Sequence, residues 1–241
     1  MKFYLDAYGL TAFEAVVRDF GARRYGYVVT ANVDHIIRYH EDPGFRNTYA
    51  DASYVLLDSR FLAKWLRFTR GLAIDPCPGS DLTLRVFEDA SIAGERLLLV
   101  GSTAAQAQAL SRRYGLRDLV HIEVPMGFIH DPQQVESCLR RIEAESPFRY
   151  CFIAVGSPQQ EILSRHLKLR GKTMGLALCV GASIDYLTGK ERRAPRWLQR
   201  LALEWLFRLL HSPRRLARRY LVRGPRIFAV LSDIQFELRN P

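Results

Sequence analysis

The sequence is poor in cysteine, and its cysteines are scattered. Only four occur among 241 residues, and none form a Cys-x-x-Cys pair. This spacing suggests neither a structural zinc site nor a disulfide framework. The chain also has no run of eighteen apolar residues, so no membrane-spanning helix is predicted. The first seventeen residues mix acidic and aromatic side chains, unlike a signal peptide, so we expect a cytoplasmic protein.

Two common enzyme motifs are also missing. The chain contains no Gly-x-Ser-x-Gly and no Gly-x-Gly-x-x-Gly. A serine hydrolase of the α/β type and a typical NAD enzyme therefore lack support.

The positive charge is concentrated near the end of the chain. Between Lys190 and Arg226 there are one lysine and eleven arginines but only two acids, Glu191 and Glu204. This excess of ten equals the net charge of the whole protein, so the rest is neutral. A basic tail on a neutral body indicates a polyanionic partner, such as nucleic acid, an anionic membrane or a phosphate-bearing substrate.

Short apolar runs alternate with helix-like segments along residues 1–189. This alternation predicts an α/β fold with a mostly parallel sheet and helices on both faces. The six predicted strands lie within 25–32, 51–59, 95–102, 120–128, 149–158 and 173–183. We expect residues 1–189 to form a complete body and residues 190–241 to form a basic helical appendage.

Small, polar or acidic residues follow the predicted strands. In a parallel sheet the carboxyl ends of the strands share one edge, where ligands bind. Glycines such as Gly101 would let backbone N–H groups approach a ligand there. The residues at these ends are Thr30, Asn32, Asp58, Arg60, Gly101, Gln160, Glu161 and Asp185.

Several segments resemble one family in collinear order. They are "TAN", "GSDL", "GSPQQE", "GASIDYLTGKERRAPRWLQRLALEWLFRLL" and "SPRRLARRYL". Together they are similar to the WecG/TagA/CpsF glycosyltransferases, glycosyltransferase family 26, from about Val28 to Phe228. The resemblance implies a Rossmann-like core with a C-terminal appendage that closes over the active site.

The resemblance also implies an activity. Such enzymes are inverting, metal-independent transferases that need no cofactor. They move a hexose-type sugar from a UDP-sugar to a polyprenyl-diphosphate-linked sugar, at the cytoplasmic face of a bacterial membrane, for surface polysaccharides. We therefore expect a peripheral membrane protein with a UDP-sugar and a lipid-linked acceptor as partners.

Three residues match the family's catalytic centre. Asp58 matches a strand-end carboxylate that would act as the base, since an inverting transfer must remove the acceptor's hydroxyl proton. The alternative is that Asp58 caps the next helix. Thr30 and Asn32 match a strand end close to the sugar, or alternatively form an ordinary turn.

Other residues match donor-binding positions. Gln160 would hydrogen-bond the donor sugar or phosphate, and Asp185 would contact nucleotide or sugar. Glu161 and Asp185 could instead stabilise helix N-termini.

One departure from the family pattern removes a positive charge. An arginine commonly found three residues before the glycine of "GSDL" is replaced by Pro76. Arg60, two residues after Asp58, is a candidate substitute for the missing charge. The chain also lacks the Asp-x-Asp pair that many sugar-nucleotide transferases use to bind a metal ion. The leaving diphosphate must then be stabilised otherwise, and arginine is suited to this because it is always charged and can bind phosphate through two hydrogen bonds.

The tail is expected to do two things. On one continuous helix, Trp197, Leu201 and Trp205 would form an apolar stripe beside arginines, as in an interfacial helix at anionic lipid. By the family pattern, Arg208, Arg215 and Arg218 are candidates for diphosphate contact. The alternative for each residue is an apolar core position or a solvated arginine.

A different class of function remains open on charge alone. A nucleic-acid-binding protein could use the basic tail to bind phosphates. The tryptophans and leucines of the tail and the acids Asp58, Asp185 and Glu161 disfavour it. We expect no nucleic-acid partner, and a second copy of the chain is a further candidate to cover the crevice.

Overall fold

The computed structural model describes residues 1–239, which fold as strands alternating with helices. The strands are β1 (Lys2–Asp6), β2 (Tyr25–Ala31), β3 (Tyr54–Leu57), β4 (Arg96–Gly101), β5 (Asp118–Ile122), β6 (Tyr150–Ala154), β7 (Gly175–Cys179) and β8 (Gln235–Arg239). The helices are α1 (Leu10–Phe20), α2 (Val33–Glu41), α3 (Pro43–Ala50), α4 (Arg60–Arg70), α5 (Gly79–Glu88), α6 (Ala104–Tyr114), α7 (Pro132–Ala144), α8 (Gln159–Arg170), α9 (Ser183–Leu187), α10 (Arg196–Arg200), α11 (Glu204–His211), α12 (Pro213–Ala217) and α13 (Ile227–Asp233).

Six of these strands form one parallel sheet. Their order is β3-β2-β7-β6-β4-β5, and every neighbouring pair is parallel. Each of the six predicted strand segments contains one of these strands or overlaps it. In the fourth, the strand ends at Ile122, before Pro125, which has no N–H to give to a sheet.

Helices cover both faces of the sheet, as a Rossmann-like fold requires. Along β4, Leu97 and Leu99 pack into one apolar cluster while Leu98 and Val100 pack into the other. This alternation follows from the two-residue period of a strand. The prediction of a parallel α/β fold with helices on both faces is therefore confirmed.

The end of the chain returns to its beginning. β8 pairs in parallel with β1, with Phe3 opposite Phe236. From α13, Ile227 and Leu231 join the same apolar cluster as β1, and both are buried. Residues 227–239 therefore belong to the core and not to a separate appendage. For the same reason we no longer expect residues 1–189 to be a complete body.

The tail is also not one continuous helix. α10 ends at Arg200, Ala202 takes a left-handed conformation with φ of 62°, and α11 begins at Glu204. The expected stripe of Trp197, Leu201 and Trp205 along one helix is therefore wrong. The break redirects α11 toward the carboxyl edge of the sheet. Within residues 1–239, no helix is both long and apolar enough to cross a bilayer.

Candidate active site

Asp58 lies directly after β3, at the carboxyl edge of the sheet. Its backbone N–H donates to the Ala31 carbonyl across the edge, at 2.8 Å. Its Oδ1 accepts a 3.0 Å hydrogen bond from the N–H of Gly79, the first residue of α5. Asp58 does not cap the helix that follows it, because Ser59 does so. A carboxylate at the start of α5 instead faces the positive end of that helix.

Burial raises the pKa of Asp58 from 3.8 to about 6. This value already includes the charge of Glu204, which also raises the pKa, and the Gly79 hydrogen bond and the charges of Arg208 and Arg60, which lower it. A carboxyl with a pKa near 6 is mostly ionised at neutral pH and is a better proton acceptor than a free aspartate.

Gly79 lies next to both Thr30 and Asp58. Thr30 is buried near the end of β2, and a Cβ at Gly79 would lie only 2.8 Å from Thr30 Oγ1. A side chain at position 79 would therefore push Thr30 aside. The glycine of "GSDL" brings Thr30 and Asp58 together, a role that the motif's position in the chain did not reveal.

Asn32 caps α2. Its Oδ1 accepts hydrogen bonds from the N–H groups of Asp34 and His35, at 3.0 and 3.3 Å. These bonds use the amide oxygen and fix the side chain next to the end of β2. The turn-forming alternative for Asn32 is thus observed, and its amide N–H groups remain the part able to meet a ligand.

Ion pairs join the tail to this edge of the sheet. Arg60 binds Asp81 at 2.8 Å and approaches Glu204 of α11 at 3.7 Å. Arg193, just before α10, binds the other oxygen of Asp81 at 2.7 Å. Arg60 therefore connects the core to α11, and both of its contacts are carboxylates rather than an open anion site.

Arg208 is the tail arginine that the structure brings into this site. It projects from α11 and lies 5.9 Å from the centre of the Tyr186 ring. Its Nε is buried and, among residues 1–239, has no hydrogen-bond partner. The charge of Arg208 lowers the pKa of Asp58, so the two groups lie close enough to interact electrostatically.

The other two candidate arginines lie farther out. Arg215 binds Glu191 at 2.6 Å and remains exposed, and Arg218 is exposed as well. Their expected contact with a diphosphate therefore needs either a ligand or a movement that brings them inward.

Gln160 is held inside the protein, between β6 and β7. Its Oε1 accepts from the N–H of Gly181 at 2.9 Å, and its Nε2 donates to Glu161 Oε1 at 2.8 Å. Glu161 is fully buried in the first turn of α8. In this arrangement Gln160 positions the loop after β7 and uses one donor and one acceptor of its side-chain amide.

A second group of residues surrounds the ends of β4 and β7. Asp185 Oδ1 accepts from Gln106 Nε2 at 2.8 Å and pairs with Lys190 at 3.2 Å. Gly101 has φ of 85°, and a Cβ there would lie 2.7 Å from Val155. β4 and β6 are neighbours in the sheet. From β4 the chain continues to β5, on the far side of β4, whereas from β6 it continues to β7, on the far side of β6. The gap between β4 and β6 is thus a switch point in the strand order, where ligands of such folds bind.

The structure thus places the predicted residues in three groups. In the first group, Thr30 and Asp58 lie around Gly79, with Arg60 and Arg208 beside them. In the second group, Gly101 and Asp185 lie near the ends of β4 and β7. The third group is Gln160 and Glu161, which are buried at the start of α8. Within the described part of the chain, no group of three or more His, Cys, Asp or Glu side chains could hold a metal ion.

Sequence reasoning missed four residues of this region. Glu204, Arg193 and Tyr186 lie in the long motif that resembles the family, but nothing in their spacing indicated a role. Gln106 carried no signal beyond the capping box it forms with Thr103 at the start of α6.

Comparison with protein families agrees with this geometry. The model of the Glycosyl transferase WecG/TagA/CpsF family matches residues 3–240, nearly the whole chain. The match covers β1 and the basic tail as well as the six-stranded sheet, so the tail is part of what defines the family. The protein belongs to the WecG/TagA/CpsF family of glycosyltransferases.

Proposed function

We propose that this glycosyltransferase is an inverting, metal-independent enzyme that uses a UDP-sugar donor. Its acceptor would be a sugar carried on a polyprenyl diphosphate. The observation that supports this most directly is that Asp58, held at the carboxyl edge of the sheet by the Gly79 N–H and with a pKa near 6, lies close enough to the partly buried Arg208 to feel its charge.

Asp58 would act as the base. It would accept the proton of the acceptor hydroxyl while that oxygen bonds to the anomeric carbon of the donor sugar. At the same time the bond from the anomeric carbon to UDP breaks, and its electron pair leaves on the β-phosphate. Attack from the face opposite to UDP inverts the configuration. Thr30 and Asn32, at the end of the neighbouring strand, are proposed to hold the sugar in place.

Arg208 would stabilise the leaving group. A guanidinium is always charged and can bind phosphate through two parallel hydrogen bonds. Arg60 is assigned a different role from the one expected at first, because Asp81 and Glu204 occupy it. We propose that Arg60 holds α11 over the site and that Arg208, rather than Arg60, supplies the charge missing at Pro76.

The nucleotide would bind at the gap between β4 and β6. Gly101 lets the end of β4 pack closely against Val155 there, and Asp185 is fixed by Gln106 at the same edge. A carboxylate so placed could accept hydrogen bonds from the hydroxyl groups of a ribose or sugar.

The tail surface is proposed to bind anionic lipid at the cytoplasmic face of the membrane. Trp197, Leu221 and Val222 expose 62, 59 and 67% of their surfaces. Four arginines of the same segment are exposed as well: Arg196, Arg200, Arg214 and Arg218. Apolar side chains exposed among cations are typical of an interfacial helix.

Part of the tail charge is not available to lipid. Arg223 pairs with Asp34 and Glu41 of α2, at 3.4 and 3.3 Å, and Arg226 pairs with Glu41 at 2.9 Å. These pairs fasten the tail to the core. They also argue against a long phosphate-binding track for nucleic acid, because they remove cations from it.

Replacing Asp58 tests the proposed chemistry. Asp58→Asn keeps the shape and the bond from Gly79 but cannot accept a proton, so turnover should fall about a hundredfold or more. UDP affinity should change little. The melting temperature at pH 7 should not fall, because ionising Asp58 costs folding free energy as the pH rises from 3.8 to about 6, and Asn avoids that cost.

The assay uses a UDP-sugar and a short-chain prenyl-diphosphate-sugar, with EDTA present throughout. Asp118→Asn, an exposed partner of Arg96, is the matched control and should keep full turnover. Near-normal turnover of Asp58→Asn would remove Asp58 from the mechanism. A strict need for added magnesium or manganese would instead contradict the role given to Arg208.

A further inference from the structure

Tyr186 carries a buried hydroxyl that the unliganded protein does not use. Within residues 1–239, its oxygen has no hydrogen-bond partner. A buried hydroxyl left without a partner costs folding free energy, so its presence calls for an explanation. Tyr186 lies in α9, directly after Asp185 and at the carboxyl edge of the sheet.

The Arg208 guanidinium lies over the ring of Tyr186. The two are 5.9 Å apart, and the Nε of Arg208 is likewise buried without a partner. Two neighbouring side chains from different elements therefore each carry an unused donor where α11 covers the core.

The nearby carboxylates have other partners. Glu204 approaches Arg60 at 3.7 Å, and Glu191 binds Arg215 at 2.6 Å. Asp58 lies near enough to feel the charge of Arg208 but accepts its hydrogen bond from Gly79, so among residues 1–239 no carboxylate forms a direct ion pair with Arg208, which can still bind a further anion. Burial raises the pKa of Tyr186 to about 12, so its hydroxyl is a neutral donor at physiological pH.

We propose that the Tyr186 hydroxyl and the Arg208 guanidinium together bind one diphosphate group. This inference rests on the proposed function, which supplies two such groups, one in the leaving nucleotide and one in the lipid-linked acceptor. A phosphate oxygen can accept from both donors at once, and such charge-assisted bonds are short and strong.

Tyr186→Phe tests the proposal because it should lower the affinity for the ligand without lowering the melting temperature of the unliganded protein. The variant should bind its diphosphate ligand about tenfold more weakly, the usual effect of losing a hydrogen bond to a charged group. The unliganded variant should melt at the same or a higher temperature, since an unpaired buried hydroxyl has been removed. A hydroxyl with a structural role would instead lower the melting temperature.

Tyr114→Phe is the matched control. Tyr114 also has a buried hydroxyl without a partner in the described chain, and the Arg113 guanidinium lies 5.3 Å from its ring. However, Tyr114 ends α6, at the opposite edge of the sheet. Its substitution should leave both ligand affinities unchanged.

Two ligands distinguish the sources of the diphosphate. Affinities for UDP and for farnesyl diphosphate are measured by calorimetry on the full chain. If Tyr186→Phe weakens binding of UDP alone, the pair binds the diphosphate of the leaving group. If it weakens binding of farnesyl diphosphate alone, the pair binds the diphosphate of the acceptor. Weaker binding of both ligands indicates a site that takes either.

Unchanged affinity of Tyr186→Phe for both ligands overturns the proposal while leaving the proposed function intact. Failure of the unaltered protein to bind either ligand overturns both. In an Arg208→Lys background, the effect of Tyr186→Phe should shrink, because groups that bind one ligand together are not additive. Full additivity would contradict a shared site.

Discussion

The two parts of the C-terminal segment differ in what surrounds their apolar side chains. In residues 190–226, Leu221 and Val222 face solvent, and the segment carries the whole basic excess of the chain. In residues 227–239, Leu231 is wholly buried and β8 pairs with β1. The first part thus provides an exposed surface and Arg208, whereas the second completes the core.

This difference shows that neighbouring parts of one C-terminal segment can have different roles. Residues 190–226 are proposed to act in binding, whereas residues 227–239 complete the core. Removing everything after Gly189 would take away Ile227, Leu231 and Phe236 from the core together with the basic surface. Such a truncation would not separate binding from folding. Single substitutions in each part do separate them.

The largest expected effect is on stability, in the second part. Leu231→Ala should lower the free energy of unfolding by about 2–5 kcal/mol, because it leaves a cavity in a packed core. Leu221→Ala is the matched control and should change it by less than about 0.5 kcal/mol. Urea unfolding followed by circular dichroism measures both. Equal effects would mean that the two parts do not differ in the way described.

The next effect concerns membrane binding, in the first part. Replacing Leu221 and Val222 together by Ser should weaken sedimentation with anionic liposomes at least about tenfold, since their insertion into lipid is worth a few kcal/mol. Leu169→Ser, an exposed leucine at the end of α8, should bind as the unaltered protein does.

Added salt should also weaken binding of the unaltered protein, because exposed charges are screened. Liposome binding that survives both the double substitution and high salt would place the lipid contact elsewhere on the molecule.

The smallest expected effect is on the pH profile and tests whether the first part tunes the base. The pKa of Asp58 is about 6, raised first by burial and then by the charge of Glu204. A base must be ionised to act, so kcat/KM should fall below that pH. Glu204→Gln removes a negative charge, which favours ionised Asp58, so the acidic limb should move to lower pH by less than about one unit.

Glu237→Gln in β8 serves as the control in the second part, because Glu237 pairs with Lys2, remote from Asp58. The acidic limb of the kcat/KM profile of this variant should stay at the same pH as in the unaltered protein. A shift to higher pH in Glu204→Gln would show that Glu204 matters to Asp58 mainly through Arg60.

Much of the active-site edge followed from local patterns. Buried strands bounded by glycine and polar residues placed Thr30, Asp58 and Gly101 at strand ends, and parallel strands share their carboxyl edge. The tail was harder to predict. Helical spacing linked Trp197 to Trp205, but the left-handed turn at Ala202 separates them, and neither alanine nor its neighbours mark such a turn.

The sequence alone determined the alternation of strands and helices, the charge of the tail and the family, because each depends on residue type at short range or on collinear motifs. Only the tertiary structure decided which side chains meet. Gly79 joins Thr30 to Asp58, Glu204 lies beside Arg60, Tyr186 faces Arg208, and β8 joins β1. These contacts connect residues far apart in the chain, and local propensities do not specify such pairings. They form when the apolar faces of the elements are buried together, which fixes the positions of the polar groups at their ends.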